Sequence, residues 1–284
     1  MNILVTGAGG FIGSALVNSL GKVHEVYGVV RFCNSAEVNI FELDLTNNEA
    51  VRGFLECEHF GLEFDVILHL ASVMANLHNA DDIGILGKNA TILRNSILLA
   101  NHFKVKHFIN FSSSSVYPNV DGVFDEMSNV DPSPNSDCIY GLSKWNSEVL
   151  LNLFSRSSSM KVTHLRCGMV FGENMNQSRI YPIIRNELLS SSQATLFGGG
   201  ERVINYIFIE DLIRYVEVFV TRTITGVYNI ITISETLLDF ARRVAAREGI
   251  IDPKINLVSK GNAYKFVLDN RKLKKVVGEF CGSR

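Results

Sequence analysis

Apolar positions in the first half of the chain fall into short β-branched runs separated by longer amphipathic stretches. Ile3–Thr6, Glu25–Val30, Asp65–Leu70, Lys106–Ser112 and Val162–Arg166 read as strands. Phe11–Leu20, Asn47–Cys57, Ile83–His102 and Cys138–Ser155 carry helical spacing. Alternation of this kind predicts an α/β fold, a doubly wound parallel sheet with helices on both faces. After Arg166 the rhythm loosens. A polar stretch, Gly172–Arg179, leads to a helix at Tyr181–Leu189, a strand at Ala194–Phe197 and the turn Gly198-Gly199-Gly200. The remainder reads as strand–helix fragments of a smaller C-terminal lobe, ending in a basic amphipathic helix near Arg271–Val277. The expected division is 1–171 for the main unit and 172–284 for the lobe, with part of about 203–232 returning to the main unit. Ser155–Ser159 reads as a helix end and turn, and no internal repeat is visible.

Composition narrows the picture by exclusion. The chain has 284 residues, 46% hydrophobic and 20% charged, so it is long enough to bury a large core. A net charge of −2 without a basic block offers no surface for nucleic acid or anionic membrane. No apolar stretch approaches the ~20 residues that span a bilayer. The opening MNILVTG lacks the basic flank and cleavage site of a signal peptide, so the cytosol is the expected compartment. Cys33, Cys57, Cys138, Cys167 and Cys281 are scattered without a C-x-x-C pair, and no H-x-x-x-H spacing occurs. Reduced structural thiols and no metal site are expected.

Candidate chemistry begins with Thr6-Gly7-Ala8-Gly9-Gly10-Phe11-Ile12-Gly13, between the first strand and the first helix. Glycines there permit a tight turn and close backbone approach to a diphosphate. The helix N-terminus offers unpaired N–H groups and partial positive charge. The second strand ends in Arg31 with no acid beside it. An acid at that place favours NAD and a cation favours the 2′-phosphate of NADP, so NADPH is expected over NADH. Asp44-Leu45, ending a short third strand, is placed to hold an adenine amino group.

Tyr140-Gly141-Leu142-Ser143-Lys144 puts a tyrosine and a lysine on one helical face. A nearby ammonium favours the phenolate, which lets tyrosine exchange a proton with a substrate hydroxyl or carbonyl while hydride moves. Upstream, the strand ending Phe111-Ser112-Ser113-Ser114-Ser115 brings hydroxyls to the carboxyl edge of the sheet, where ligands bind in such folds.

With these motifs in this order, the chain resembles the extended short-chain dehydrogenase/reductases, specifically the NAD-dependent epimerase/dehydratase family acting on nucleotide sugars. Further matching residues are His69-Leu70-Ala71-Ser72, Asn89 with Asn95, the SSSSVY turn, Glu148, Leu165-Arg166, Phe208–Asp211 and Leu268–Asn270. The resemblance implies a Rossmann-like sheet with a substrate-binding lobe. It makes Ser113, Tyr140 and Lys144 catalytic, with Ser114 the alternative serine. It assigns Gly7, Gly10, Phe11, Ile12, Gly13, Arg31, Asp44, Leu45, Leu70, Ala71, Ser72, Asn89, Phe111, Tyr140, Lys144, Gly168 and Val170 to the cofactor. Met74, Ser113, Ser114, Arg179 and Arg202 fall to the substrate, and His69 to structure. It also implies a homodimer through two helices of each subunit, with Leu93, Ile97, Leu98, Val149 and Leu153 as apolar surface.

The departures select among activities. Family dehydratases carry an Asp-Glu pair directly after the catalytic residue, where this chain has Ser114 and Ser115. Ring-carbon epimerisers carry a cysteine and a histidine where Ser115 and Arg179 stand. Met169 replaces a usual asparagine, and Ile204 a usual diphosphate-gripping arginine, with Arg202 or Arg179 as stand-ins. What remains is chemistry at C4. The expected activity is reduction of a 4-keto nucleotide sugar by NADPH. The alternative is NAD-dependent 4-epimerisation, and behind it stand reduction of a non-nucleotide carbonyl or a cofactor-binding protein without turnover.

Overall fold

The computed structural model describes residues 1–33, 39–57, 61–75 and 79–278. In chain order the first half contains β1 (Asn2–Thr6), α1 (Phe11–Leu20), β2 (Glu25–Val30), β3 (Ile40–Glu42), α2 (Asn48–Glu56), β4 (Val66–His69), α3 (Gly84–His102), β5 (His107–Ser113), β6 (Gly122–Phe124), α4 (Cys138–Ser155) and β7 (Lys161–Cys167). The second half adds β8 (Met169–Phe171), α5 (Ile180–Ser191), β9 (Gln193–Phe197), β10 (Val203–Phe208), α6 (Ile209–Arg222), β11 (Gly226–Ile230), β12 (Ile233–Thr236), α7 (Leu237–Arg247), β13 (Lys254–Val258), β14 (Phe266–Leu268) and α8 (Arg271–Val277).

Seven strands form one sheet in the order β11-β7-β5-β4-β1-β2-β3, and every pairing is parallel. Parallel strands need both faces covered. The side-chain alternation meets that demand: Ile3 and Val5 point into one apolar cluster, while Leu4 points into the other. The first cluster collects α1, α6 and α8 through Leu16, Leu212, Phe219 and Leu273. The second collects α2, α3 and α4 through Val51, Leu93, Leu99 and Leu151. The doubly wound parallel sheet is therefore observed.

A smaller set of elements lies beyond β7. Strands β12-β10-β8 make a three-stranded sheet, β13 pairs β9, and β14 pairs β6. Phe171, Tyr206 and Phe240 centre the apolar core beneath α5 and α7. Between these pieces the chain returns to the main sheet, where β11 becomes the edge strand beside β7. One expectation needs correction and one strand was not foreseen. Leu93 is buried against its own sheet and offers no surface to a partner, because it falls on the inward stripe of α3. The three-residue strand β6 had no counterpart in the hydrophobic pattern, because its pairing partner β14 lies far along the chain. Cys281 lies outside the described residues, while Cys57, Cys138 and Cys167 carry reduced thiols.

Candidate active site

The turn after β1 is held by close packing. Gly7 has φ +73°, and a Cβ there would lie 2.8 Å from the Ala71 nitrogen. A Cβ on Gly13 would lie 2.2 Å from the Gly7 carbonyl oxygen, so α1 can settle onto the turn only because that side chain is missing. The N-cap of α1 is Gly10, without a side-chain cap or an acid in the first turn. Its leading N–H groups and positive dipole end are thus left for an anion. Phe11 and Ile12 pack partly against the core below.

Around this cradle the structure gathers the ends of neighbouring strands. Arg31 is exposed, its guanidinium 5.2 Å from the Phe32 ring centre. Asp44 accepts from the Thr46 backbone N–H at 2.8 Å through Oδ1, and Leu45 beside it is buried. After β4, the Leu70 N–H donates to the Thr6 carbonyl, and the Ala71 N–H to the Thr6 hydroxyl. Buried Asn89 accepts from the Val73 N–H at 2.7 Å and donates to the Val73 carbonyl and the Ser143 hydroxyl. It therefore ties the loop holding Leu70, Ala71, Ser72 and half-exposed Met74 to helix α4. His69 pairs with the Thr6 hydroxyl at 3.0 Å, and burial pushes its pKa down to about 3, so it is a neutral structural group.

On α4, Tyr140, Lys144 and Glu148 recur every four residues and share one face. All three are buried. The Lys144 ammonium donates to the Phe111 carbonyl at 2.9 Å and lies 5.6 Å from the Tyr140 ring centre. Burial lowers the Lys144 pKa to about 8, against a smaller upward pull from Cys167. Burial also raises the Tyr140 hydroxyl well above its ordinary range, with Cys167 and Asp137 adding to the rise and the Arg179 charge opposing it. The pair is thus poised with both charged forms disfavoured, so additional positive charge brought to the site shifts it towards the phenolate.

Glu148 explains which serine is available. Its carboxylate grips Arg166 at 3.0 and 2.8 Å and accepts from the Ser112 hydroxyl at 2.5 Å. Arg166 in turn donates to the Tyr117 hydroxyl at 2.7 Å, which also bonds the Asn229 side chain at 3.0 Å. Ser112 is therefore committed inward. Ser113 ends β5, paired in register with Cys167, and its hydroxyl and that of Ser114 are half-buried in the turn that follows.

The elements beyond β7 bring the remaining residues. Gly168 lets β7 pass into β8 with a would-be Cβ only 2.6 Å from the Asn205 carbonyl oxygen, and Val170 packs on the core. Arg179 sits exposed at the start of α5, close enough for its charge to act on Tyr140. Arg202 is half-buried just ahead of β10. Ile204 is 1% exposed in the lobe core, so the position that usually supplies a cation is closed to the crevice. Sequence reasoning missed Asp137 and Cys167. Asp137 drew no reading in the sequence, and Cys167 figured only among the scattered reduced thiols, one residue beyond the expected strand. Among the described residues no three His, Cys, Asp or Glu side chains cluster as metal ligands, and no helix is long and apolar enough to cross a membrane.

Residues 3–230 match the model of the NAD dependent epimerase/dehydratase family. The chain belongs to this family. Among its relatives is a dTDP-D-glucose 4,6-dehydratase of Dictyostelium discoideum, 27% identical over 85% of this chain and 61% of that protein. A trifunctional UDP-glucose 4,6-dehydratase/3,5-epimerase/4-keto-L-rhamnose-reductase of Arabidopsis thaliana is also 27% identical, over 97% of this chain and 44% of that protein. The chain thus spans 61% and 44% of the lengths of these relatives. Among solved family structures, the UDP-glucuronic acid 4-epimerase of Bacillus cereus, in complex with UDP-glucuronic acid and NAD, superposes with TM-score 0.78. It is 23% identical, with 98% of this chain and 93% of that one covered. A UDP-N-acetylglucosamine 4-epimerase of Methanobrevibacter ruminantium gives TM-score 0.81 at 20% identity, covering 97% of this chain and 91% of that one. At these identities the likeness is one of fold.

Proposed function

We propose that this chain is a nucleotide-sugar 4-epimerase, working on a C4 hydroxyl with NAD and acting as a homodimer. The observation that carries this reading is the buried Tyr140–Lys144 pair, whose lysine holds the Phe111 carbonyl of β5, the strand that ends in Ser113 and runs into a serine turn without a carboxylate at 114 or 115. That set serves removal and return of a hydroxyl proton but gives a dehydratase no acid and base on the turn. The cradle fits a dinucleotide diphosphate: the turn closes against backbone only with glycine at 7 and 13, and α1 is uncapped. Gly7, Gly10, Phe11, Ile12 and Gly13 would hold the diphosphate, Asp44 and Leu45 the adenine, and Lys144 the nicotinamide ribose. When bound, the group supplies the acceptor and donor for hydride. Tyr140 takes the O4 proton and returns it, Lys144 and Arg179 favour its ionised form, and Ser113 hydrogen-bonds the same oxygen. Arg179 and Arg202 face the anionic part of the substrate.

Net reduction by NADPH, expected from Arg31, has less support. Two solved neighbours across nearly the whole chain are 4-epimerases, one of them holding NAD. An epimerase returns its hydride and needs no exchangeable reductant. Exposed Arg31 beside Phe32 can lie flat against an adenine, a contact indifferent to the 2′-phosphate.

The test is a panel of UDP- and dTDP-hexoses and hexuronic acids, with products separated after incubation with NAD or NADPH. C4 epimers formed without net cofactor consumption are expected. Stoichiometric NADPH consumption by 4-keto sugars would return the reading to a reductase. Tyr140→Phe should keep cofactor affinity and lower turnover by roughly 10²–10⁴, the usual contribution of a placed acid–base group. Nearly full activity in that variant would sink the mechanism.

A further inference from the structure

Helices α2 and α3 pack side by side and leave a groove between them. It is a cavity of about 310 Å³, lined by Asn48, Arg52 and Leu55 of α2 and by Arg94, Asn95 and Leu98 of α3. That volume is at the low end of small-molecule sites. Two arginines line it and no carboxylate does. Arg52 has Glu49 three positions before it and Glu56 four positions after it on the same helix, the spacings that make ion pairs. Among the described residues it pairs with neither, and Arg94 meets no acid. Arg94 instead reaches from α3 to α2, donating to Asn48 Oδ1 at 3.3 Å, so its guanidinium spans the groove. Asn48 Oδ1 also accepts from the buried Asn95 amide at 3.0 Å, and that amide donates to the Leu45 carbonyl at 2.8 Å. The acceptors here are therefore taken, apart from Asn95 Oδ1, which is sealed from solvent. The side-chain groups left over, the Arg52 guanidinium, the rest of the Arg94 fork and the Asn48 N–H, only donate.

We infer that the α2–α3 groove is a binding site for a phosphate monoester with a compact apolar body, separate from the cofactor and sugar sites proposed above. A phosphate offers three acceptor oxygens, enough for two guanidinium forks, where a carboxylate fills one. Leu55 and Leu98 supply the apolar walls. A hydroxyl-rich body would need acceptors, and the side chains offer none. The competing role is a pair of solvated surface arginines. Arg52 would then be expected to use one of the two acids one turn away, and Arg94 to point into water rather than across to α2. Nor is the pair the overflow of a basic chain, since the net charge is −2. The inference does not depend on the 4-epimerase reading.

The test is calorimetry and thermal shift on the full chain with phenyl phosphate, inorganic phosphate, benzoate and glucose 6-phosphate. Each is run with and without saturating NAD, and light scattering checks the oligomeric state of every variant. Phenyl phosphate is expected to bind once per chain, to raise the melting temperature, and to weaken as salt rises. It should bind roughly tenfold tighter than each of the other three, because only it satisfies both the forks and the apolar walls. NAD should not compete with it. Arg52→Gln and Arg94→Gln should each lower its affinity by roughly tenfold or more, the worth of a charge-assisted contact, while the ligand-free melting temperature and NAD affinity hold. Leu55→Ala should shrink the preference for phenyl phosphate over inorganic phosphate and spare the binding of inorganic phosphate. Absence of saturable binding, affinity indifferent to both arginine variants, or glucose 6-phosphate bound as tightly as phenyl phosphate would overturn the inference. So would competition with NAD, which would assign the phosphate to the glycine turn. Failure of the sugar panel to yield C4 epimers leaves the groove untouched, so the two readings fall separately.

Discussion

Lys144 shows how far a residue can be pushed from its solution behaviour by where the helix puts it. Its pKa is lowered by burial from 10.5 to about 8. The unfolded chain therefore holds that proton more tightly than the folded one, and stability rises with pH between those two values. Below about pH 8 the buried ammonium works against the fold in full. Lys144→Met, which keeps the stem and removes the charge, should stabilise the ligand-free protein by on the order of 2–3 kcal/mol at pH 7. The advantage should vanish near pH 10.5, and urea titrations at the two pH values check it. An unchanged stability difference at both would contradict this account of the lysine. The Tyr140–Lys144 spacing was plain in the sequence, because i and i+4 on a helix need no tertiary knowledge. The serine was not: Ser113, with Ser114 the alternative, came from the family resemblance alone, and the inward commitment of Ser112 could not be read at all. That commitment depends on Glu148 reaching across from α4 to take the Ser112 hydroxyl, a contact between residues 36 positions apart.

Helices α3 and α4 lie side by side on one face of the sheet and leave an apolar strip outward. Leu98 on α3 and Leu142, Val149 and Leu153 on α4 are exposed, Leu153 at 59%. On α4 these fall at intervals of seven and four, the spacing of a helix–helix seam. A second copy packed on this strip is the homodimer proposed above. Leu153→Arg should convert it to a monomer in light scattering at micromolar concentration without lowering the melting temperature of the single subunit. A wild type that is already monomeric would dispose of the idea. Long elements such as these were legible because several turns of helix repeat the apolar period. Strands of three residues were not. β6 and β8 carry no period of their own, and their pairing with β14 and β10 is set by the rest of the molecule.

At the scale of the molecule, the sheet buries three histidines as neutral groups. His107 donates through Nε2 to the Thr163 hydroxyl, which itself donates to the Ile224 carbonyl, so Nδ1 is left bare. His164 accepts from Asn110 through Nδ1 and donates to Asn152 through Nε2. Burial lowers both pKa values to about 4 and that of His69 to about 3, from 6.5. As pH falls below 6.5 the unfolded chain takes up these protons first, so stability present above that pH is lost towards pH 4. The loss should reach on the order of 3 kcal/mol per histidine. Urea midpoints should fall steeply over that window, and His107→Gln, whose amide can still donate to Thr163, should flatten the slope. A midpoint independent of pH between 6.5 and 4 would refute it.

The place of β11 in the sheet has a consequence for how the protein is made. β7 ends at Cys167 and its outer neighbour begins only at Gly226. At ~5–20 residues per second, the nascent chain carries β7 as an open edge for roughly 3–12 s, its backbone groups ready to pair with any strand nearby. Over the same interval Tyr117 and Arg166, both buried, wait for Asn229 to leave the ribosome. The candidate active site is therefore among the last parts to set, and ribosomes stalled before Gly226 should release chains that aggregate, whatever the quality of the sheet already built.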